Sequence, residues 1–246
     1  MTATEQASNG NLPDGTVAVV VVAAGSGERL GAGVPKAFVE LGGQNLLELS
    51  EAIALSLEHP IWLVRVVPNN YTGERERSWE NGEVVGQAVV AGGSTRQESV
   101  AAGLAVIPTG IDHVLIHDAA RALTPSDVFA RVLAALEAGA QAVVPALPVT
   151  DTIKQVELQG DREVVVDTPD RASLRAIQTP QGFKLETLRD LHANAVNADA
   201  TDDAGLAEQA GVVVEVVEGS PDAFKVTTPQ DLKYARYVLS TRGQTS

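Results

Sequence analysis

Residues 17–24 read Val-Ala-Val-Val-Val-Val-Ala-Ala and run straight into Gly25-Ser26-Gly27. A β-branched run with no polar residue at alternate positions suits an interior parallel strand covered on both faces. The glycines that end it permit a tight strand-to-loop turn. Behind this strand, extended and helical patterns alternate. Asn45–Leu57, Ser94–Val106 and Ser126–Ala138 have helical spacing, while Ile61–Val67, Val84–Val90, His113–Ile116 and Ala142–Val144 read as strands. The C-terminal part continues with a helix over Lys184–Ala195, another begun at Thr201-Asp202-Asp203, a strand over Val212–Val217 and a last helix from Thr228. Alternation of this kind implies right-handed βαβ crossovers, hence an α/β fold: a three-layer αβα sandwich on a Rossmann-like, mostly parallel sheet. In such sheets ligands bind outside the carboxyl ends of the strands.

Composition agrees. Hydrophobic residues make up 44% of the 246-residue chain but aromatics only 4%, which favours doubly covered Val-rich strands and close helix packing. The length suits one α/β domain, expected over residues 16–242, with 1–15 a disordered lead-in and 243–246 a short tail. The lead-in has neither a basic nor an apolar segment, so a cytoplasmic location is expected. One segment breaks the alternation: Thr150–Leu158 and Glu163–Thr168 flank Gln159-Gly160-Asp161-Arg162, the pattern of an inserted β-hairpin over 148–170. A lone hairpin is marginal in water and needs something to pack on.

Several function classes fall away. A net charge of −14 argues against nucleic acid and acidic membranes as partners. With no cysteine there are no disulfides, thiolate nucleophiles or cysteine-ligated metals. The histidines, His59, His113, His117 and His192, have no zinc-site spacing. The longest aliphatic run is far below the roughly 20 residues that span a bilayer.

Chemistry gathers in short motifs. Ala23-Ala24-Gly25-Ser26-Gly27-Glu28-Arg29-Leu30-Gly31 follows the first strand, where glycines let backbone amides approach phosphate. Both the dinucleotide fingerprint and the Walker loop would need glycine at position 30, which is Leu30, so neither a dehydrogenase nor a P-loop fits. A plain tight connection is the bland alternative. Against it stand two cations, Arg29 in this turn and Lys36 in Val34-Pro35-Lys36-Ala37-Phe38.

These two segments, together with Ala91-Gly92-Gly93-Ser94-Thr95-Arg96-Gln97-Glu98-Ser99-Val100, His117-Asp118-Ala119-Ala120-Arg121, Asp151-Thr152-Ile153-Lys154, Pro169-Asp170-Arg171, Thr179-Pro180-Gln181 and Phe224-Lys225-Val226-Thr227, resemble the 2-C-methyl-D-erythritol 4-phosphate cytidylyltransferases. The likeness runs from about residue 17 to 240. It implies transfer of CMP from CTP to a polyol phosphate with release of pyrophosphate, a divalent cation such as Mg²⁺, and a homodimer clasped through the 148–170 arm. It also assigns roles. Arg29 and Lys36 would stabilise the α-phosphate in the transition state, with Arg171 and Lys225 completing the catalytic set. Ala23, Ala24, Gly25, Gly27, Gly92, Gly93, Ser99, Asp118 and Ala119 would hold the nucleotide, Gly92, Gly93 and Ser99 reading the cytosine. Asp118 would lie near the ribose and the metal. Arg121, Thr152, Arg171 and Lys225 would bind the second substrate, Thr152 and Arg171 across the dimer interface.

Other residues keep two readings. Arg96 either neutralises phosphate or caps local structure, and Ser99 is either a ligand or an ordinary helix residue. His117 reads as a core histidine, and Thr201-Asp202-Asp203 as a helix N-cap. The chain departs from the family pattern at Ala37, Ser94 and Ala122. Two competing functions are a cytidylyltransferase for another polyol phosphate, such as ribitol 5-phosphate, and a non-catalytic nucleotide-binding subunit.

Overall fold

The computed structural model describes residues 12–25, 33–71, 84–195 and 200–242. The first half of the chain forms β1 (Val17–Val22), β2 (Glu40–Leu41), β3 (Gln44–Asn45), α1 (Leu46–Ala54), β4 (Ile61–Val67), β5 (Val84–Ala91), α2 (Arg96–Leu104), β6 (His113–Asp118) and α3 (Ser126–Glu137). The second half forms β7 (Ala142–Pro148), β8 (Gln155–Gln159), β9 (Arg162–Asp167), β10 (Arg175–Ile177), β11 (Gln181–Lys184), α4 (Leu185–Asn194), α5 (Asp203–Gln209), β12 (Val214–Glu218) and α6 (Pro229–Arg242). The eight-stranded main sheet runs β10-β7-β11-β6-β1-β4-β5, with β12 parallel to β7.

β1 is an interior strand of the sheet, parallel to β4 on one side and β6 on the other. Its alternate side chains enter opposite layers, as a strand's period of two requires. Val17, Val19 and Val21 pack with Leu63, Leu115, Phe129 and Leu133 beneath α1 and α3. Ala18 and Val20 pack with Val64, Ile116, Val100, Leu188 and Leu206 beneath α2, α4 and α5. The three expected layers are therefore present. A third cluster, including Leu41, Leu46, Leu123, Val226 and Val238, seats α6 against the small β2–β3 hairpin. Arg65 of β4 is buried in an ion pair with Glu51 of α1 at 2.7 Å, fastening that helix to the sheet.

The sequence pattern missed one piece of the sheet. β10 and β11 lie antiparallel along β7, and β11 also pairs antiparallel with β6, so β11 is inserted between the parallel strands β6 and β7 while β10 pairs with β7 alone. Each is too short to show periodicity, and a cis Thr179–Pro180 peptide separates them. The β2–β3 hairpin escaped notice for the same reason of length.

The inserted hairpin is present as β8 and β9, with only Gly160 and Asp161 between the paired ends Gln159 and Arg162. Gly160 has φ +63°, which suits glycine in such a turn. The hairpin forms a sheet of its own, and Leu158 is 75% exposed and Val165 53%. Within this chain its apolar face remains in water.

Candidate active site

The chain leaves β1 toward β4 and β5, then crosses to β6 and β7 on the other side. This makes β1/β6 the switch point at which an open sheet has a crevice. A cavity of about 460 Å³ opens there, at the carboxyl ends of the strands. Backbone pairing extends past the strands to shape it: Ala23 N–H donates to Val66 O at 2.7 Å, and Gly92 N–H to Val67 O at 2.8 Å. Ala23, Ala24 and Gly25 line one part of the cavity, Gly93 to Arg96 and Ser99 a second, and Asp118 to Ala120 a third. Lys36 reaches it from the turn after Pro35, and Lys225 from the segment before α6.

The charges form a chain across four elements and the segment before α6. Lys225 Nζ donates to Asp118 Oδ2 at 2.7 Å, and Arg96 Nε to Asp118 Oδ1 at 3.3 Å. Arg96 also donates through Nη1 to Asp203 Oδ2 at 2.7 Å, and Asp203 Oδ1 lies 2.9 Å from His192 Nε2. Burial alone would raise the Asp118 carboxyl, but Arg96, Lys225 and Arg121 outweigh it and hold the group well below the usual carboxylate range. Asp118 is thus a fixed anion between two cations. Burial likewise opposes ionisation of Asp203, and the contacts to His192 and Arg96 overcome it.

Most sequence-predicted residues meet here: Ala23, Ala24, Gly25, Lys36, Gly93, Ser99, Asp118, Ala119 and Lys225 all line the cavity. Gly27 and Arg29 lie outside the described residues. The N–H of Gly92 is engaged by Val67 O. The part of Gly92 is steric, since a methyl group there would meet Ala24, Ser99 and Val66. Gly93 N–H donates to Ser99 Oγ at 3.1 Å while the Ser99 hydroxyl donates to Thr95 O at 2.8 Å, so these groups first fix the loop. Arg121, Thr152 and Arg171 are not among the lining residues. Arg121 donates to the carbonyls of Ala223 and Ile177, and Arg171 to that of Thr150 at 2.7 Å.

Sequence reasoning left Arg96 evenly poised and gave His192 no role; the structure makes Arg96 the link between two carboxylates. Asp202 caps α5 by accepting from Gly205 N–H at 2.9 Å, as expected, leaving the adjacent Asp203 for Arg96. His117 is fully buried, with Nδ1 3.1 Å from Thr179 Oγ1, which also accepts the Asp118 N–H. Burial pushes His117 down to about 4, so near neutral pH the ring carries no charge. Among the described residues Nε2 of His117 meets no partner.

The departures from the family pattern fall in three settings. Ala37 is buried beside the cavity, and Ala122 is buried in the cluster under α6. Ser94 donates through both its N–H and its hydroxyl to Glu98 Oε2 at 2.6 Å, so it ties down the loop before α2.

The profile of the 2-C-methyl-D-erythritol 4-phosphate cytidylyltransferase family matches residues 17–241. The chain belongs to this family. A Rhodococcus jostii protein named for that activity is 50% identical over 225 residues, covering 92% of this chain and 96% of its own. The crystal structure of the Thermus thermophilus 2-C-methyl-D-erythritol 4-phosphate cytidylyltransferase is 34% identical, with a TM-score of 0.69 over 90% of this chain and 98% of its own. The Anaerococcus prevotii 4-diphosphocytidyl-2C-methyl-D-erythritol synthase superposes with a TM-score of 0.76 at 27% identity, covering 92% and 96%. Among the described residues no helix is long and apolar enough to cross a membrane.

Proposed function

We propose that this protein joins CTP and 2-C-methyl-D-erythritol 4-phosphate into 4-diphosphocytidyl-2-C-methyl-D-erythritol and releases pyrophosphate, working in the cytosol as one catalytic domain over residues 16–242. The observation that carries the reading is the cavity at the β1/β6 switch point, faced by Lys36 and Lys225 in a chain of this family. A phosphate oxygen of the polyol phosphate attacks the α-phosphorus of CTP in line. The bond from that phosphorus to the bridging oxygen breaks, and its electron pair leaves with pyrophosphate. No general base is required, because a phosphate monoester with a second pKa near 6 is mostly dianionic at neutral pH.

Catalysis then rests on position and charge. Lys36, with Arg29, meets the negative charge that builds on the α-phosphate oxygens. Lys225 holds the incoming phosphate, and Asp118 keeps that ammonium group aimed. Gly25 and the start of α2 present backbone N–H groups to the triphosphate.

Among the described residues no three His, Asp or Glu side chains gather into a metal cage. A single carboxylate held ionised, Asp118, fits a Mg²⁺ bound chiefly by phosphate oxygens, the usual habit of that ion. When bound, Mg²⁺ would neutralise triphosphate charge.

We also assign the exposed β8–β9 face to a symmetric homodimer, in which Thr152 and Arg171 serve the partner's cavity; the exposed Leu158 and Val165 support this. Pyrophosphate release from CTP, measured with a panel of polyol phosphates, tests the reaction. Turnover is expected with 2-C-methyl-D-erythritol 4-phosphate, and turnover with ribitol 5-phosphate in its place would overturn the assignment.

A further inference from the structure

His192 lies in the last turn of α4, away from the cavity lining, yet its side chain is only 5% exposed and touches an aspartate that is 1% exposed. A buried histidine on an amphipathic helix face is commonly a filler. Here its polarity is directed. Nε2 lies 2.9 Å from Asp203 Oδ1, and among the described residues Nδ1 meets no partner. An ionised carboxylate only accepts, so Asp203 places a proton on Nε2 and the ring donates.

Asp203 has two oxygens, and His192 occupies one of them. The other faces Arg96 at 2.7 Å, and Arg96 in turn reaches Asp118 inside the cavity. A carboxylate held at one oxygen only can swing about its Cβ–Cγ bond, whereas one held at both presents a fixed edge to a guanidinium. Asp203 follows the N-cap of α5, and Arg96 opens α2, so neither helix alone sets the angle between them.

We propose that His192 is a positioning residue for the nucleotide site: by donating to Asp203 it fixes the plane of Arg96, and through Arg96 the carboxylate of Asp118. The ligand this arrangement serves is the nucleoside triphosphate, so the inference rests on the cavity being the CTP site. Its effect falls on the ground-state complex, since Arg96 and Asp118 are engaged before any bond to phosphorus changes.

The test uses the full-length protein and three substitutions. Replacing His192 by Leu removes the donor. His192→Gln restores it, because the glutamine amide nitrogen stands close to the position of Nε2. His192→Asn keeps polarity but puts its amide near Nδ1, out of reach of Asp203, and stands in for the leucine variant if that one fails to fold. His192→Leu or His192→Asn should raise KM for CTP about 5- to 20-fold with kcat changed less than about twofold, a part of what one lost hydrogen bond to a charged group is worth, because the effect reaches CTP only through Arg96. His192→Gln should return KM to within about twofold of wild type.

The same substitutions made in an Arg96→Gln background should add little to KM, since the path through Arg96 is already cut. Equal KM in all variants, no recovery with glutamine, or an undiminished penalty in the Arg96→Gln background would overturn the positioning role. Equilibrium dialysis of CTP against the wild type separates the two layers of inference. A wild type that does not bind CTP removes the nucleotide-site reading, whereas one that binds while the variants behave alike removes the role of His192 alone.

Discussion

Gly92→Ala is the sharpest perturbation of the site that the structure offers. Gly92 has no positive φ to explain it, and its amide is spent inside the sheet. A methyl group on its Cα would stand under 3 Å from Cβ of Ala24 and 2.8 Å from Oγ of Ser99. Carbon atoms in contact prefer about 3.5–4.0 Å, so the strand-end segments of β1 and β5 must part by roughly 1 Å. They are not free to do so cheaply, because Ala23 and Gly92 are bonded to successive carbonyls of β4.

Overpacking of this kind costs about 1–3 kcal/mol, or roughly 2–4 °C of melting temperature per kcal/mol in a protein of this size. The effect on turnover should be larger. A shift of about 1 Å in groups that position a substrate can lower rate about 10²-fold. Initial rates of pyrophosphate release over a range of CTP concentrations, with a thermal melt of the same sample, read both quantities. Removing the facing methyl with Ala24→Gly in the same chain should recover most of each loss. Wild-type kcat/KM in Gly92→Ala, or no recovery in the double variant, would refute the close-approach argument.

Lys36→Ala or Arg29→Ala should lower kcat by about 10²-fold or more with a smaller change in KM for CTP, seen by steady-state kinetics. Mixing inactive Arg171→Ala and Lys225→Ala dimers under subunit exchange should restore up to about a quarter of wild-type activity, because half of the dimers then hold one intact site. Excess chelator should stop turnover and added Mg²⁺ should restore it, followed by pyrophosphate release.

His117 gives a pH signature. The unfolded chain takes a proton on this ring near pH 6.5 while the folded one resists until about 4, so stability drops as pH falls through that window. Thermal melts should show the wild type losing about 1.5 kcal/mol more than His117→Asn between pH 6.5 and 5.

What the sequence disclosed followed from local pattern. β4 was legible to the residue from the largely apolar run Ile61–Val67, whereas the helical spacing of Asn45–Leu57 overran α1 by Asn45, which caps it through Glu48 N–H at 2.9 Å, and by Leu55 to Leu57 at the other end. Short contiguous motifs likewise placed Lys36, Asp118 and Lys225 around one cavity. Features that depend on two distant segments stayed hidden. β10 and β11 join the sheet through pairing with β6 and β7 rather than through any periodicity of their own. Arg96 and Asp203 are 107 residues apart, and nothing near either one names the other. Gly92 could be singled out as part of a motif, but whether its value was an amide or an absent methyl required the position of Ala24.

The separation of the paired charges also dictates when the site can exist. Asp118 leaves the ribosome 107 residues before Lys225, its partner at 2.7 Å, and β1 is made long before either. A nascent chain released just short of residue 225 could lay down the sheet through β12 yet would leave the buried Asp118 carboxylate with Arg96 and Arg121 but without its shortest ion pair. The completed chain of charges is therefore a late product of synthesis, closed by the segment that α6 pins in place. A chain cut before that segment would keep most of the framework and lack one of the two lysines that line the cavity.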